Sequence, residues 1–320
     1  MGIHFRHAEP GDLPRCLELV RSQNRGCYRL DLIDRLPEFW LFLIRSRRHV
    51  IHVFVDDARP VGERIQGLVS AVFVSADFLQ QHLAEPAPYL AQRILDRFLA
   101  GESPLLSPRA IAASHTSEGV NVIGIDFAFY QENWLRPATL RWLPVVQNSA
   151  REFLAGYRLR SYYREIFGRD LFWISRAGGY RLETDYHKGP HAAVSQLTPP
   201  QRPYLFGMNA DQAKRRTGSM GSIFFQSQEP QFHFSPAEQD LLLLALRDVS
   251  DEEAAAALSI SVHTIKMRWR AAFDRTSQYR PDLFPRHEPG TPRGNERRTK
   301  LLRYLRDHME ELRARNHSRS

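Results

Sequence analysis

Polar and basic side chains recur at helical spacing near the carboxyl end of the chain. His263, Lys266, Met267 and Arg270 are three or four residues apart, which places them on one face of a helix. Lysine and arginine on such a face can donate hydrogen bonds to phosphate oxygens and to the edges of bases. These residues therefore favour contact with a polyanion. We expect Lys266 and Arg270 to donate hydrogen bonds to it.

Basic charge is concentrated on this helix and on the segment that follows it. Residues 262–306 contain 12 lysines and arginines against four acids, whereas residues 235–261 contain one arginine against six acids. The net charges of the two segments are therefore +8 and −5. An arginine-rich composition alone does not produce this polarity, so the distribution of charge also indicates a nucleic-acid partner.

Three serine residues mark the starts of the helices that would position these side chains. Ser235 and Ser250 are each followed by glutamate three residues later, which is the capping-box pattern, and Ser261 precedes the basic helix. A short second helix, a tight turn and a longer third helix form the layout of a helix-turn-helix, here between about Phe234 and Thr276. The apolar residues that would pack the three helices together are Leu241, Leu242, Ala245, Leu246, Ala254, Ala255, Leu258, Val262, Ile265, Trp269, Ala272 and Phe273.

This stretch resembles the LuxR/GerE-type helix-turn-helix. The matching residues are Phe234-Ser235-Pro236-Ala237-Glu238, Glu253-Ala254-Ala255, Leu258, Ile260-Ser261 and Thr264-Ile265-Lys266. The resemblance implies that Lys266, Met267 and Arg270 face the major groove, with Thr264 and Arg268 at phosphates. Our predicted DNA-binding residues are Ser261, His263, Thr264, Lys266, Met267, Arg268, Arg270 and Arg275.

The sequence departs from that family pattern at three positions. Asp248 replaces the usual glycine between the first two helices, Arg268 replaces a histidine, and Thr276 replaces the terminal leucine. A last helix is expected from about Glu296 to Ala314, where it either completes the helical core or forms a dimer contact.

Residues 1–186 alternate between strand-like and helix-like segments. The sequence pattern predicts strands at Val50–Val55, Ile65–Val74 and Val120–Phe129. It predicts helices at Leu90–Ala100 and at roughly Ala138–Phe167. This order predicts an α/β domain with a central mixed sheet. Residues 187–233 are rich in Pro, Gly and Ser and are predicted to form a linker, followed by an all-α domain from 234 to 320. The fold class we expect is therefore α+β.

The amino-terminal region resembles the GNAT acetyltransferase fold. The resemblance rests on Ile3 to Leu13 for the opening strand and helix, and on Asp56-Asp57, Ile65–Val74 and Val120–Phe129 for the next strands. That family binds the acetyl-CoA pyrophosphate on a glycine-rich turn after the fourth strand, through backbone N–H groups at a helix N-terminus. Residues 130–139 contain no glycine. We therefore expect a degenerate domain that senses a ligand or forms dimers, and no enzymatic activity.

Composition excludes several other classes. The chain has 320 residues, a formal net charge of +8 and two cysteines, Cys16 and Cys27, which we expect to be reduced thiols. No apolar run approaches the roughly 20 residues of a membrane span, and no HExxH, GxSxG or phosphate-loop motif occurs. His49 and His52, at a strand-like edge, are expected to be ordinary exposed histidines rather than a metal pair. We predict no catalytic residue, no cofactor and no metal, and a cytoplasmic location without membrane contact.

Taken together, these features predict a sequence-specific transcriptional regulator that binds double-stranded DNA, expected to be a homodimer. Its amino-terminal regulatory domain is expected either to sense a small-molecule effector or to form dimers. One alternative is an acetyltransferase tethered to DNA, which acetyl-CoA binding would distinguish. A second is a quorum-type receptor for an acylated signal, although the Trp/Tyr/Asp spacing expected of such a pocket is missing. A third is a helical protein-interaction module that never contacts DNA.

Overall fold

The computed structural model describes residues 2–24, 27–46, 49–130, 136–188, 196–284 and 293–313. The chain forms two compact units. Unit 1 comprises residues 1–154 and 159–225, and unit 2 comprises residues 155–158 and 226–320.

A seven-stranded mixed sheet forms the centre of unit 1, with strand order β1-β2-β3-β4-β5-β7-β6 in the described part of the chain. The strands are β1 (Ile3–His7), β2 (Val50–Asp56), β3 (Ile65–Val74), β4 (Val120–Phe129), β5 (Leu159–Phe167), β6 (Arg181–Asp185) and β7 (Pro203–Asn209). Strands β4 and β5 are parallel, and every other neighbouring pair is antiparallel. A parallel pair requires a crossover connection, and helical segments between residues 137 and 154 supply it.

The described helices of unit 1 lie between these strands, except for the last two, which follow β7. They are α1 (Leu13–Gln23), α2 (Leu30–Ile33), α3 (Leu36–Ser46), α4 (Ala76–Ala84), α5 (Leu90–Leu99), α6 (Pro108–Thr116), α7 (Pro137–Leu140), α8 (Leu143–Leu154), α9 (Arg169–Ala177), α10 (Ala210–Arg215) and α11 (Met220–Ile223). Helices α4, α5 and α6 all lie between β3 and β4, where they form an insertion.

Each face of the sheet has its own hydrophobic core, because successive side chains of a strand point to opposite faces. On one face, Val53 and Leu68 pack with residues of α1, α3 and α5. On the other face, Phe54 packs with Trp142 and with Leu171 of α9. We call these the α1 face and the α8 face. Strand β2 is buried along its whole length, which explains its continuous apolar sequence.

Unit 2 is helical, with α12 (Pro236–Ala245), α13 (Asp251–Leu258), α14 (Val262–Tyr279) and α15 (Arg293–Asp307). Its core includes Leu241, Ile265, Trp269 and Leu305. Ser235, Ser250 and Ser261 cap α12, α13 and α14, and each side chain accepts a hydrogen bond from the backbone N–H three residues later. The helix starts predicted from the sequence are therefore present.

Asp248, in the turn between α12 and α13, has a left-handed backbone conformation. Its φ is +57°, in the region that glycine adopts without cost. Aspartate is one of the few other residues that visits this region, since its short polar side chain can hydrogen-bond locally.

Two sequence-based boundaries differ from the structure. The predicted helix over residues 138–167 ends at Leu154, and Leu159–Phe167 forms strand β5. The segment 187–233, predicted to be a linker, contains strand β7, which pairs with both β5 and β6. Composition suggested a linker because Pro and Gly flank β7, yet the strand itself is buried along most of its length.

Among the described residues, no helix is both long enough and apolar enough to cross a membrane. Cys16 and Cys27, both described, are not joined in a disulfide, in agreement with the prediction of two thiols.

Candidate functional site

The sheet of unit 1 opens between β4 and β5. These strands pair from Val120 with Leu159 to Gly124 with Arg164, and their ladder contains no later pair of described residues. Strand β4 nevertheless continues to Phe129 beside β3, and β5 continues to Phe167 beside β7. Beyond Gly124 and Arg164, the two halves of the sheet are therefore no longer hydrogen-bonded to each other in the described part of the chain. We call the gap between residues 125–129 of β4 and 165–167 of β5 the strand cleft.

A β-bulge in β4 begins where the cleft opens. Val69 pairs with Phe127 and Ala71 with Gly124, so two residues of β4, Ile125 and Asp126, face the single residue Ser70. The bulge is fixed by Ser70, whose Oγ accepts a hydrogen bond from the Asp126 N–H (3.2 Å) and donates one to the Asp126 carboxylate.

The bulge changes which face each later side chain of β4 occupies. Ile123 and Ile125 lie on the α1 face, whereas Phe127 and Phe129 lie on the α8 face. Regular alternation would have kept all four odd-numbered residues on one face. Because of the extra residue, Asp126 points to the α1 face.

Asp126 is buried and accepts hydrogen bonds from three side chains. Tyr28 Oη donates at 2.7 Å and Trp40 Nε1 at 3.0 Å, in addition to Ser70. Burial raises the pKa of Asp126, while these three donors oppose the rise by stabilising the carboxylate. Tyr28 lies just before α2 and Trp40 on α3, so Asp126 connects the helical layer to the centre of the sheet. We call these four residues the Asp126 cluster.

Glu165 lies on β5 at the other side of the strand cleft and is buried. Its two carboxylate oxygens accept hydrogen bonds from the backbone N–H groups of Tyr89 (2.9 Å) and Leu90 (3.0 Å), at the start of α5. Burial raises the pKa of Glu165 to about 8, although both N–H donors and the nearby Arg93 oppose the rise. A carboxyl group with this pKa exchanges a proton near neutral pH, as a general base must.

His82 and Tyr186 extend this polar region on the α1 face. His82 Nδ1 lies 2.8 Å from an Arg93 guanidinium nitrogen, and its Nε2 lies 3.4 Å from Tyr186 Oη. Arginine has no acceptor, so Nδ1 must accept and the proton of the neutral ring must lie on Nε2. Burial and Arg93 lower the pKa of His82 to about 4. Burial, reinforced by the charge of Glu165, raises the pKa of Tyr186.

The sequence-based expectations for unit 1 missed these groups. Tyr28, Asp126 and Glu165 were not proposed as site residues. One signal was available, because Asp126 is an acidic residue inside an otherwise apolar strand. Glu165 gave no such signal, since its segment was expected to be helical. The segment 131–135, where the family binds pyrophosphate, lies outside the described residues.

The residues predicted to bind DNA lie on or beside α14. His263, Lys266, Met267 and Arg270 are exposed. Ser261 is the cap of α14, and its Oγ lies 2.9 Å from Thr264 Oγ1.

Two of the predicted DNA-binding arginines make contacts within unit 2. Arg268 donates to the Ala237 carbonyl at 3.4 Å, and Arg275 forms an ion pair with the buried Glu238 at 3.4 Å. A DNA contact by any of the eight residues stays a prediction, and these two arginines already have partners in α12.

No family model matches the chain, and no curated protein matches it either. Among solved structures, it is similar to the spermidine/spermine N-acetyltransferase SpeG from Vibrio cholerae, with 12% identity over 67% of this chain and 98% of that one, at a TM-score of 0.36. It is also similar to FeeM, an N-acyl amino acid synthase from uncultured soil microbes, with 11% identity over 66% and 93% of the two chains, at a TM-score of 0.36. A third is the C-terminal condensation domain of Ebony in complex with beta-alanyl-dopamine, with 13% identity over 65% and 99%, at a TM-score of 0.39.

These comparisons contradict one sequence-based prediction. The solved structures similar to this chain include acetyltransferases, and none of the three named here is described as a DNA-binding protein. The interpretation of the chain as a DNA-binding transcriptional regulator without enzymatic activity is corrected accordingly. The mixed sheet and the interleaved helices that the sequence predicted for the amino-terminal region are present in unit 1.

Proposed function

We propose that unit 1 is an acyltransferase that binds an acyl-CoA thioester in the strand cleft and transfers the acyl group to an amine. The observation that carries this proposal is the separation of β4 from β5 beyond Gly124 and Arg164, with both strands continuing on either side. A cleft between two strands exposes backbone groups in the middle of a sheet rather than at its edge.

Backbone geometry supports an amide-containing ligand in this cleft. Beyond Gly124, the N–H and C=O groups of β4 that point away from β3 lie along the strand cleft. An extended chain that carries amides can pair with such groups as an added strand would. The pantetheine arm of CoA has two amides and an extended shape, so it matches the strand cleft chemically.

The lack of glycine after β4 affects how much each part of the CoA molecule is expected to contribute to binding. Residues 130–139 contain no glycine, so the sequence after β4 lacks the residue type that lets a backbone approach pyrophosphate closely. We therefore expect the acyl-pantetheine arm to provide most of the affinity and the nucleotide end to provide less.

Glu165 is the candidate proton acceptor for the transfer. It lies on the wall of the strand cleft, and burial brings its pKa to about 8. In the proposed reaction a primary ammonium first loses a proton to Glu165. Its nitrogen then forms a bond to the thioester carbonyl carbon, the carbon–sulfur bond breaks, and the leaving thiolate takes the second proton from nitrogen.

The test combines binding with thiol release by the full-length chain. Acetyl-CoA is titrated into the protein by calorimetry, and free CoA thiol is measured colorimetrically with a panel of primary amines. We expect saturable binding, competition by acetyl-pantetheine that exceeds competition by ADP, and amine-dependent thiol release.

Absence of acetyl-CoA binding would reject the proposal. Binding without thiol release from any amine would reject the transfer step. Competition by ADP alone would show that the ligand is a nucleotide and that the pantetheine assignment is wrong.

A further inference from the structure

A cluster of two histidines and a glutamate lies on the α8 face of unit 1, at the edge of the sheet formed by β1 and β2. His7, His52 and Glu152 each offer one ligand atom, and these atoms all lie within 4.8 Å of one another. We propose that these three side chains form a zinc site that joins the β1–β2 strand pair to α8.

Secondary structure brings the three residues together. His7 and His52 are directly opposed in the antiparallel β1–β2 pair, so their side chains project from the same face. Their rings meet edge to face, with centroids 4.4 Å apart. Glu152 lies on α8, which packs against this face.

The distances between the ligand atoms suit a small metal ion with tetrahedral coordination. Zinc binds imidazole nitrogen and carboxylate oxygen at about 2.0–2.2 Å, which places neighbouring tetrahedral ligands roughly 3.3 Å apart. His7 Nε2 and Glu152 Oε1 are already 3.3 Å apart. The other ligand atoms of the cluster lie no more than 4.8 Å apart.

A second polar group already orients His52. Its Nδ1 lies 2.7 Å from Ser149 Oγ, which is one helical turn before Glu152 on α8. Because Nδ1 is occupied by this contact, Nε2 is the nitrogen that would bind the ion. Histidines that ligate metals usually have their other ring nitrogen fixed in this way.

The donor set selects the class of metal and leaves one position open. Two imidazoles and one carboxylate favour borderline divalent ions such as Zn²⁺, whereas Mg²⁺ and Ca²⁺ prefer oxygen ligands alone. Three protein ligands complete three of the four tetrahedral positions, so water or a small anion would occupy the fourth. His52 is buried, whereas the side chains of His7 and Glu152 are 31% and 47% exposed, which gives the ion a route from solvent.

Metal-stripped full-length protein is titrated with ZnCl₂ by calorimetry, and Co²⁺ is added as an absorbance probe of tetrahedral coordination. We expect one strong site in the wild type, a rise in the melting temperature with zinc, and visible bands typical of tetrahedral Co²⁺. Glu152→Gln and His7→Gln retain side-chain size and should weaken zinc binding by about 100-fold or more. Ser149→Ala should weaken it by about 10–100-fold, as second-sphere changes do.

His4→Ala is the matched control, because His4 is also on β1 and is 48% exposed but pairs with Asp57 instead. It should bind zinc as the wild type does. No zinc uptake by the wild type, or equal affinity in Glu152→Gln and His4→Ala, would overturn the site and leave His7 and Glu152 as an ion pair only.

Discussion

At the scale of single residues, the main finding is that two buried carboxyl groups on opposite walls of the strand cleft have different surroundings. Asp126 accepts hydrogen bonds from three side chains: Tyr28 just before α2, Trp40 on α3 and Ser70 on β3. Both carboxylate oxygens of Glu165 accept hydrogen bonds from backbone N–H groups at the start of α5. Asp126 is therefore suited to a structural role, whereas Glu165 can change its protonation near neutral pH.

Glu165 should make stability depend on pH. Its folded pKa of about 8 lies above the ordinary value of 4.5, so between these two values the folded state holds a proton that the unfolded state releases. The contribution is fully present below the unfolded pKa and is lost as the pH rises through the folded pKa. Glu165→Gln should therefore unfold at a higher temperature than wild type at about pH 8.5, and the two should converge near pH 5.

Thermal melts across this pH range provide the measurement. Glu118→Gln is the control, since that carboxylate is 70% exposed in an ion pair with Arg160, and it should not alter the pH dependence. Parallel curves for wild type and Glu165→Gln would show that Glu165 is ionised throughout. The same variant should abolish any rise in thiol release with pH near 8, because it removes the proposed proton acceptor.

At the scale of elements, the bulge in β4 depends on one serine. Ser70 both accepts from the Asp126 N–H and donates to its carboxylate, within a buried region. Ser70→Ala removes both hydrogen bonds and leaves buried groups without this partner, which should cost about 1–3 kcal/mol of unfolding free energy. Since the bulge sets the direction of β4 along the strand cleft, acetyl-CoA affinity should fall as well.

Ser161→Ala is the matched control for this prediction. Ser161 is a buried serine on β5 that donates to Asn121 at 2.7 Å, before the strands separate. Denaturant unfolding should show destabilisation in both variants, but calorimetry should show weakened acetyl-CoA binding in Ser70→Ala alone. Equal binding by both would mean that the bulge does not shape the ligand site.

At the scale of the whole molecule, the two units have separate hydrophobic cores. Leu19 belongs to the core of unit 1 and Leu305 to that of unit 2, and both are fully buried. Leu→Ala at either position should cost about 2–5 kcal/mol because it removes buried methyl groups and leaves a cavity. We expect calorimetry to resolve two transitions, with Leu19→Ala lowering one and Leu305→Ala the other. A single transition shifted equally by both variants would contradict independent unfolding.

Local patterns allowed parts of the fold to be predicted from the sequence alone. A capping serine acts on a backbone N–H only three residues away, so Ser235, Ser250 and Ser261 could be recognised without tertiary information. Strand β4 was equally clear, because nearly all of its residues are apolar. The same local reasoning placed basic residues on α14, but it could not establish what that face binds.

Other features of the fold and both candidate sites depend on contacts between residues that are distant in the sequence. In β5 the buried positions Leu159, Ser161, Tyr163 and Glu165 do alternate, but two of them are polar, so hydropathy did not reveal a strand. Burial of Glu165 depends on α5, which is more than sixty residues earlier in the chain. The cluster of His7, His52 and Glu152 likewise joins two strands and a helix across nearly 150 residues. The sequence therefore determined where elements begin, while the sites arose from distant residues that only folding brings within bonding distance.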